Sequence, residues 1–241
     1  MKIKQKNTID MTHGSLWNKL LLFALPLAAS SILQQLFNSV DTAVVGRFAS
    51  SRALAAVGSN SSLIALMINL FIGISLGSNV IISRYIGQKA EEHVKGAIHT
   101  AIVVALCSGI FVLVLGQFIA RPVLTLMGTP KDVLDLAVLY LRIYFLGMPF
   151  IMLYDFSSSI LRSIGDSRRP LYALIAAGII NTGLNLILVI VFHLGVSGVA
   201  IATVVSNIVS SGILFYILLH EQEPIRVRLC GLSLDWGELK S

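Results

Sequence analysis

The sequence has little charge. Only 12% of its 241 residues are Asp, Glu, Lys or Arg, whereas 56% are hydrophobic. A soluble domain of this size needs more charge than this to cover its surface. The charges also lie mostly between long apolar runs, as in chains that cross a bilayer several times. The composition therefore predicts an integral membrane protein and argues against a soluble one.

Cysteine and catalytic motifs are also scarce. Cys107 lies inside an apolar run and Cys230 in the C-terminal tail, and this spacing suits neither a metal site nor a disulfide framework. The chain contains no nucleophile-elbow, zinc-protease, paired-cysteine or phosphate-loop motif. We therefore expect no enzyme activity and no cofactor. The first apolar run is too long for a cleaved signal peptide, so none is predicted.

Six apolar segments are each long enough to cross about 30 Å of hydrocarbon, which takes roughly 20 helical residues. They cover approximately residues 20–46, 55–86, 97–120, 134–161, 171–192 and 196–219. The predicted fold class is an all-α membrane protein with a six-transmembrane-helix bundle over residues 20–220. Residues 1–19 are predicted to be a cytoplasmic N-terminal segment, and residues 221–241 a cytoplasmic linker.

The distribution of Lys and Arg predicts the orientation. With the N-terminus inside, 13 of these residues fall on the cytoplasmic side and four on the outer side, while Arg142 lies within the fourth segment. This is the positive-inside pattern of plasma-membrane proteins. It explains the formal net charge of +6 without a nucleic-acid partner, and it places both termini in the cytoplasm.

A stripe of polar residues follows one face of the first predicted helix. Ser31, Gln34, Asn38 and Asp41 are spaced by three, four and three residues, which puts them on the same side. Such a face is expected to line a bundle interior or a water-filled cavity rather than lipid. Asp41 is a functional hypothesis by default, because a carboxylate at bilayer depth costs several kcal/mol unless it faces protein or water.

Further polar residues lie at a similar depth on the last two segments. At 1.5 Å per residue, Asp41 and Thr203 lie about 7.5 Å from the outer boundary and Asn185 about 12 Å, with Asn181 one turn below. One carboxylate with amide and hydroxyl oxygens suits a proton or a hard cation such as sodium. The alternative is that Asn181, Asn185 and Thr203 only hydrogen-bond across packed helices.

Two prolines interrupt the apolar segments. Pro26 in the first segment and Pro149 in the fourth, beside Gly147, each remove a backbone donor and weaken the helix locally. Pro26 is predicted to form either a static kink or a hinge.

Several short motifs resemble the multidrug and toxic compound extrusion (MATE) transporters, of the bacterial DinF and NorM type. The first helix matches at Ala24-Leu25-Pro26 with Gln34, Asp41 and Gly46. The others are Ser83 to Gly87, Tyr140-Leu141-Arg142 with Gly147 and Pro149, Ile160 to Pro170, Asn181 to Asn185 and Gly195 to Thr203. The match runs over nearly the whole chain.

The resemblance implies a secondary active multidrug efflux antiporter that exports organic cations in exchange for protons or sodium. It implies two six-helix lobes with a drug cavity between them, of which this chain corresponds to the N-terminal one. Asp41, Asn181, Asn185 and Thr203 match the family's cation-coupling positions, and Asn185 stands where the family has an acid. With a single carboxylate, we expect protons rather than sodium, although a sodium site at Asp41 stays open.

The predicted partners are organic cation drugs, the lipid bilayer, and either a missing C-terminal lobe or a second copy of the chain. Pro26, Gln34 and Asn38 are predicted to line the cavity or to serve the conformational change. A flippase for lipid-linked oligosaccharides of related fold is the nearest alternative, but it needs cationic side chains for anionic head groups. A non-transporting membrane subunit is the other, and it would tolerate Asp41→Leu.

Overall fold

The computed structural model describes residues 16–227, and the regular structure in this range is helical. The elements are α1 (Leu16–Phe48), α2 (Ser51–Gly87), α3 (Glu91–Leu126), α4 (Lys131–Leu146), α5 (Met148–Ser163), α6 (Arg168–Leu186), a π-helical turn (Ile187–Val191) and α7 (Val196–Leu219). Five of these helices are long and apolar enough to cross a membrane, and α4 with α5 forms a sixth, bent span. The prediction of a six-helix membrane bundle is confirmed.

The fourth span is two helices rather than the single run predicted over residues 134–161. It breaks at Gly147, and α4 and α5 meet at 47°. Pro149 is the second residue of α5, where its missing N–H costs little because the first amides of a helix have no intrahelical acceptor. Gly109 of α3 packs so closely against this bend that an added Cβ would lie 2.5 Å from the Pro149 Cα.

Helix α5 lies at the centre of the bundle, between α2, α3 and α7. Met152, Phe156, Ile160 and Leu161 on this helix are fully buried. By contrast, α1 and α2 are peripheral, and many of their side chains are exposed. Exposed apolar surface on a membrane protein faces lipid or another protein. We therefore expect α1 and α2 to contact lipid or a partner, whereas α5 forms the buried centre.

Helix α1 is held mainly against α6. The ring of Phe37 lies over Gly178, at which an added Cβ would overlap the ring at 1.9 Å. A small residue lets two membrane helices approach closely. Asp41 lies one turn beyond Phe37, and Asn181 and Asn185 lie one and two turns beyond Gly178, so this joint places the polar residues side by side.

Charged residues tie helix ends together on one side of the bundle. We call this the N side, because α1 begins there. Asp166 accepts hydrogen bonds from the backbone N–H groups of Arg168 and Arg169, at 3.0 and 3.1 Å, and so caps α6. The Arg169 guanidinium pairs with both Asp166 and Glu221, which joins the start of α6 to the chain after α7.

The first seven residues of the predicted linker pack on the N side. Glu223 forms an ion pair with Lys95 at 2.9 Å, and Ile225 and Val227 are buried. The rest of the segment predicted over residues 221–241, including Cys230, lies outside the described residues, as does most of segment 1–19.

Candidate functional site

Three of the four predicted coupling residues meet between α1 and α6. The Asn185 side-chain amide donates to the Asp41 carboxylate and also to the Asn181 side-chain oxygen, the latter at 3.1 Å. Asn181 and Asn185 are buried, whereas Asp41 keeps part of its surface exposed. The hydrogen bond from Asn185 therefore holds the carboxylate against buried residues, while part of the Asp41 surface stays exposed.

One acceptor of this cluster is left open. The Asn185 side-chain oxygen is buried and has no hydrogen-bond partner among residues 16–227. Leaving a buried acceptor unpaired costs roughly 1–3 kcal/mol. The Asn185 nitrogen faces Asp41, so a proton on the Asp41 carboxyl would reach this oxygen only after the side-chain amide turns over; an oxygen of this kind is also a ligand that a hard cation prefers.

Thr203 is the fourth predicted residue, and its hydroxyl is engaged elsewhere. It donates to the Val199 carbonyl of its own helix at 3.0 Å. Within the described range it makes no hydrogen bond to Asp41. It lies seven residues into α7, at about the same depth as Asp41, which lies seven residues before the end of α1.

The polar stripe of α1 lies on the surface of the lobe. Ser31, Gln34 and Asn38 are exposed, so the interior that they were predicted to line is not formed by residues 16–227 alone. Pro26 is buried, and α1 continues through it as one helix. The Ser30 hydroxyl donates to the Pro26 carbonyl at 2.8 Å.

A pair of buried tyrosines was not predicted from the sequence. Tyr140 and Tyr144 on α4 are buried, and their rings are stacked with centroids 6.1 Å apart. Their i, i+4 spacing is the sequence signal for a shared helix face. They add two hydroxyl groups to the interior of the bundle.

The π-helical turn directly after Leu186 was also not predicted. The Phe192 N–H donates to the Ile187 carbonyl at 3.2 Å, and the wider turn begins two residues after Asn185. Turns of this type are frequent at functional sites. The apolar run Ile187 to Val191 gave no sequence signal for it.

The oxygens of this site come from a single carboxylate and two amides. Within the part of the chain that the structure describes, no group of three or more His, Cys, Asp and Glu residues could hold a metal ion. A sodium ion bound here would therefore be balanced by a single negative charge, that of the Asp41 carboxylate. One carboxylate is enough to bind a proton.

Comparison with known proteins places this lobe in a family. A model of the MatE family matches residues 26–187, which include Asp41, Asn181 and Asn185. The chain belongs to the MatE family. A crystal structure of a MATE protein in the bent conformation superposes on it with a TM-score of 0.87 and 24% identity, over 94% of this chain and 51% of that one.

Two curated MATE relatives are bacterial. The probable multidrug resistance protein YoeA of Bacillus subtilis is 36% identical over 91% of this chain and 48% of its own length. The multidrug export protein MepA of Staphylococcus saprophyticus is 26% identical over 90% of this chain and 48% of its own length. The chain thus spans about half the length of the curated relatives it matches, and it has the fold of one MATE lobe.

Proposed function

We propose that this chain is the N-terminal lobe of a secondary active multidrug exporter, in which Asp41 couples the outward movement of organic cations to the inward flow of protons. The observation that carries the proposal is the hydrogen bond from Asn185 to the Asp41 carboxylate, beside an open acceptor oxygen. The proteins named YoeA and MepA support the multidrug part of the proposal.

The coupling follows from two states of one carboxyl. When Asp41 is ionised, it accepts a hydrogen bond from the Asn185 amide. Its negative charge, at the partly exposed surface beside α1, then attracts a cationic substrate. When Asp41 is protonated, that charge is lost, and the acid donates to the Asn185 oxygen once the side-chain amide has turned over. Proton and drug then favour different states of the lobe, and this difference in binding is what allows one gradient to drive the other.

The conformational part of the cycle is assigned to α1. This helix carries Asp41 two turns before its end and Pro26 about a third of the way along it, where a backbone hydrogen bond is missing. It is also peripheral, so it can bend without disturbing the buried α5. We propose that protonation of Asp41 changes the hold of α6 on α1 and that α1 bends near Pro26, with Gln34 and Asn38 lining the drug path.

The orientation and the second lobe belong to the same proposal. The N side is cytoplasmic by the Lys and Arg distribution, in the plasma membrane. The exposed stripe on α1 faces a cavity that a second six-helix bundle completes, because alternating access by rocking needs two bundles. That bundle is either the rest of a longer polypeptide or a second copy of this chain.

Everted membrane vesicles test the function. Proton-driven transport of a fluorescent organic cation is measured for the chain expressed alone and for the chain expressed with a C-terminal MATE lobe, each with and without Asp41→Asn. We expect transport in at least one of the two wild-type arrangements and its loss in the variant. Asp132→Asn, which removes an exposed carboxylate from the start of α4, serves as the matched control and should retain transport.

Two results would overturn the proposal. Transport that survives Asp41→Asn at the wild-type rate would remove Asp41 from the coupling step. Absence of transport in both arrangements, with all chains inserted in the membrane, would favour the non-transporting subunit.

A further inference from the structure

An open groove with a volume of about 240 Å³ lies between α2 and α3. It is lined mostly by apolar or small residues, among them Ile74, Gly77 and Ile81 of α2 and Ala97, Ala101 and Val104 of α3. Ala97 and Ala101 are buried and form its floor, whereas Ile74 is 47% exposed at its rim. The groove is open because these positions carry little side chain, and an added Cβ at Gly77 would meet nothing within 4 Å.

The groove follows one face of each helix in the half of the bundle nearest the N side. Gly77 and Ile81 are one turn apart on α2, and Ala97 and Ala101 are one turn apart on α3. Because α2 ends and α3 begins on the N side, the lining residues lie about 9–20 Å from these helix ends at 1.5 Å per residue. The groove therefore lies at the depth of the lipid leaflet on this side.

Two aromatic rings close the N-side end of the groove. Tyr85 follows Ile81 by one turn and His93 precedes Ala97 by one turn, so both lie on the faces that line the groove. Their rings stack with centroids 5.1 Å apart. Tyrosine is enriched where membrane helices meet the lipid head groups. The stacked pair therefore marks this end of the groove as the head-group level.

Two basic side chains lie beside the aromatic pair. Arg84 directly precedes Tyr85, and Lys89 lies in the turn between the helices, which the Ala90 N–H ties to the Tyr85 carbonyl at 3.1 Å. Arg84 and Lys89 are exposed, and neither forms an ion pair among residues 16–227. Basic groups at the cytoplasmic ends of membrane helices are recognition elements for anionic head groups.

The charged side chains at the start of α3 lie away from the groove. Lys95 is on the opposite side of α3, where it pairs with Glu223 at 2.9 Å. Glu91 and Glu92 precede Ala97 by six and five residues, which turns them roughly 120–140° from Ala97 around the helix. The N-side end of the groove is therefore positively charged, and this charge suits an anionic head group.

The length of α2 is consistent with this placement. Its 37 residues span about 55 Å, whereas the hydrocarbon core of a bilayer is about 30 Å thick. With the helix centred in the bilayer, Gly77 lies near the edge of the hydrocarbon and Arg84 up to about 8 Å beyond it. Apolar lining and basic side chains thus coincide with the acyl and head-group layers of one leaflet.

We propose that this groove binds an anionic phospholipid from the leaflet on the N side, with an acyl chain between α2 and α3 and the phosphate beside Arg84 and Lys89. An apolar groove that is open to the bilayer is filled by hydrocarbon, which is the solvent at that depth. The positive charge at its end is what selects one class of lipid. The site does not involve Asp41 and does not depend on the proposed transport.

Native mass spectrometry of the chain in detergent tests the head-group contact. The chain is titrated with phosphatidylglycerol or with phosphatidylcholine of the same acyl chains. We expect tighter binding of phosphatidylglycerol, and a loss of roughly 30-fold in its affinity when Arg84→Gln is combined with Lys89→Gln, since each basic residue near an anionic lipid contributes about a fivefold factor. Arg52→Gln with Lys131→Gln removes an exposed basic pair from the opposite side of the bundle and should retain the affinity.

Gly77→Leu tests the groove itself, because the new side chain occupies the space of the acyl chain. We expect phosphatidylglycerol to bind severalfold more weakly to this variant. Gly58→Leu is the matched control on α2, since both glycines are exposed and an added Cβ at either meets nothing within 4 Å.

Three results would overturn the proposal. The first is phosphatidylglycerol binding that equals phosphatidylcholine binding or that survives the loss of both basic residues. The second is unchanged lipid binding in Gly77→Leu, which would leave only a surface contact with the head group. The third is a dimer of the chain that is lost in Gly77→Leu while lipid binding is unchanged, which would assign the groove to a second copy.

Discussion

At the scale of single residues, Asn185 decides what the site can do. Its amide group holds the Asp41 carboxylate and Asn181 together, and its oxygen is left without a partner. The resemblance to MATE transporters implies an acid at this position, so an amide here removes one negative charge from the site. Under the proposed function, we therefore expect this site to bind a proton in preference to sodium.

Asn185→Leu should weaken both the lobe and its coupling. The variant leaves the half-buried Asp41 carboxylate and the Asn181 oxygen without their donor, which is expected to cost about 1–2 kcal/mol. Thermal unfolding in detergent measures this loss. Asn69→Leu, the same change at an exposed position of α2, should leave the unfolding temperature nearly unchanged, and equal effects of the two variants would argue against a special role for Asn185.

Asn185→Asp should create a sodium-sensitive site. Two carboxylates and the Asn181 oxygen would then surround the same point, and a hard cation prefers such a set of ligands. Because a ligand that binds the folded state stabilises it, we expect sodium to raise the unfolding temperature of this variant more than that of the wild type, relative to choline. Asn69→Asp controls for the added charge, and a sodium effect of the same size in the wild type would contradict the single-carboxylate argument.

At the scale of elements, the joint between α1 and α6 positions the site. Phe37 packs on Gly178 because that position has no Cβ, and the cluster of polar residues follows along both helices. The contact between Phe37 and Gly178 thus aligns Asp41 with Asn185, and these two side chains form a hydrogen bond. It also explains why α1, although peripheral, has a fixed register against α6.

Gly178→Ala should displace α1. The new methyl group would overlap the Phe37 ring, so the ring or the helix must move, and we expect a loss of roughly 1–3 kcal/mol together with weakened coupling at Asp41. Gly183→Ala is the matched control on the same helix, because an added Cβ there meets nothing within 4 Å and Ala favours helix. Unfolding curves and vesicle transport of the two variants measure the difference; transport at wild-type rate in Gly178→Ala would contradict the importance of the joint.

The spans and part of the site could be predicted from the sequence because their signals are local. The length of each apolar run predicts a membrane crossing, and helical spacing predicts that Asn181 and Asn185 share a face. The break at Gly147 could be anticipated only as a kink at Pro149, because the size of the bend depends on its packing against Gly109. The π turn after Leu186 had no such signal, and the Thr203 hydroxyl donates to the Val199 carbonyl of its own helix rather than across to Asp41.

At the scale of the whole molecule, the described polar groups are unevenly distributed between the interior and the surface. Asp41 lies in the half of the bundle opposite the N side and accepts a hydrogen bond from Asn185. The polar stripe of α1 is exposed in the described chain, and a polar face is costly against lipid. We infer that the lobe works against a second one, with the proton site inside this lobe and the drug path between the two.

Proton flux driven by a drug gradient tests the central claim most directly. Proteoliposomes that contain the lobe with its partner lobe, and a pH indicator inside, are given an organic cation on one side in sodium-free buffer. We expect proton movement opposite to the drug in the wild type and none in Asp41→Asn, which has no carboxyl to bind a proton at this position. Equal proton flux in the two proteins would contradict proton coupling at Asp41. Drug transport that occurs only after sodium is added would contradict it as well.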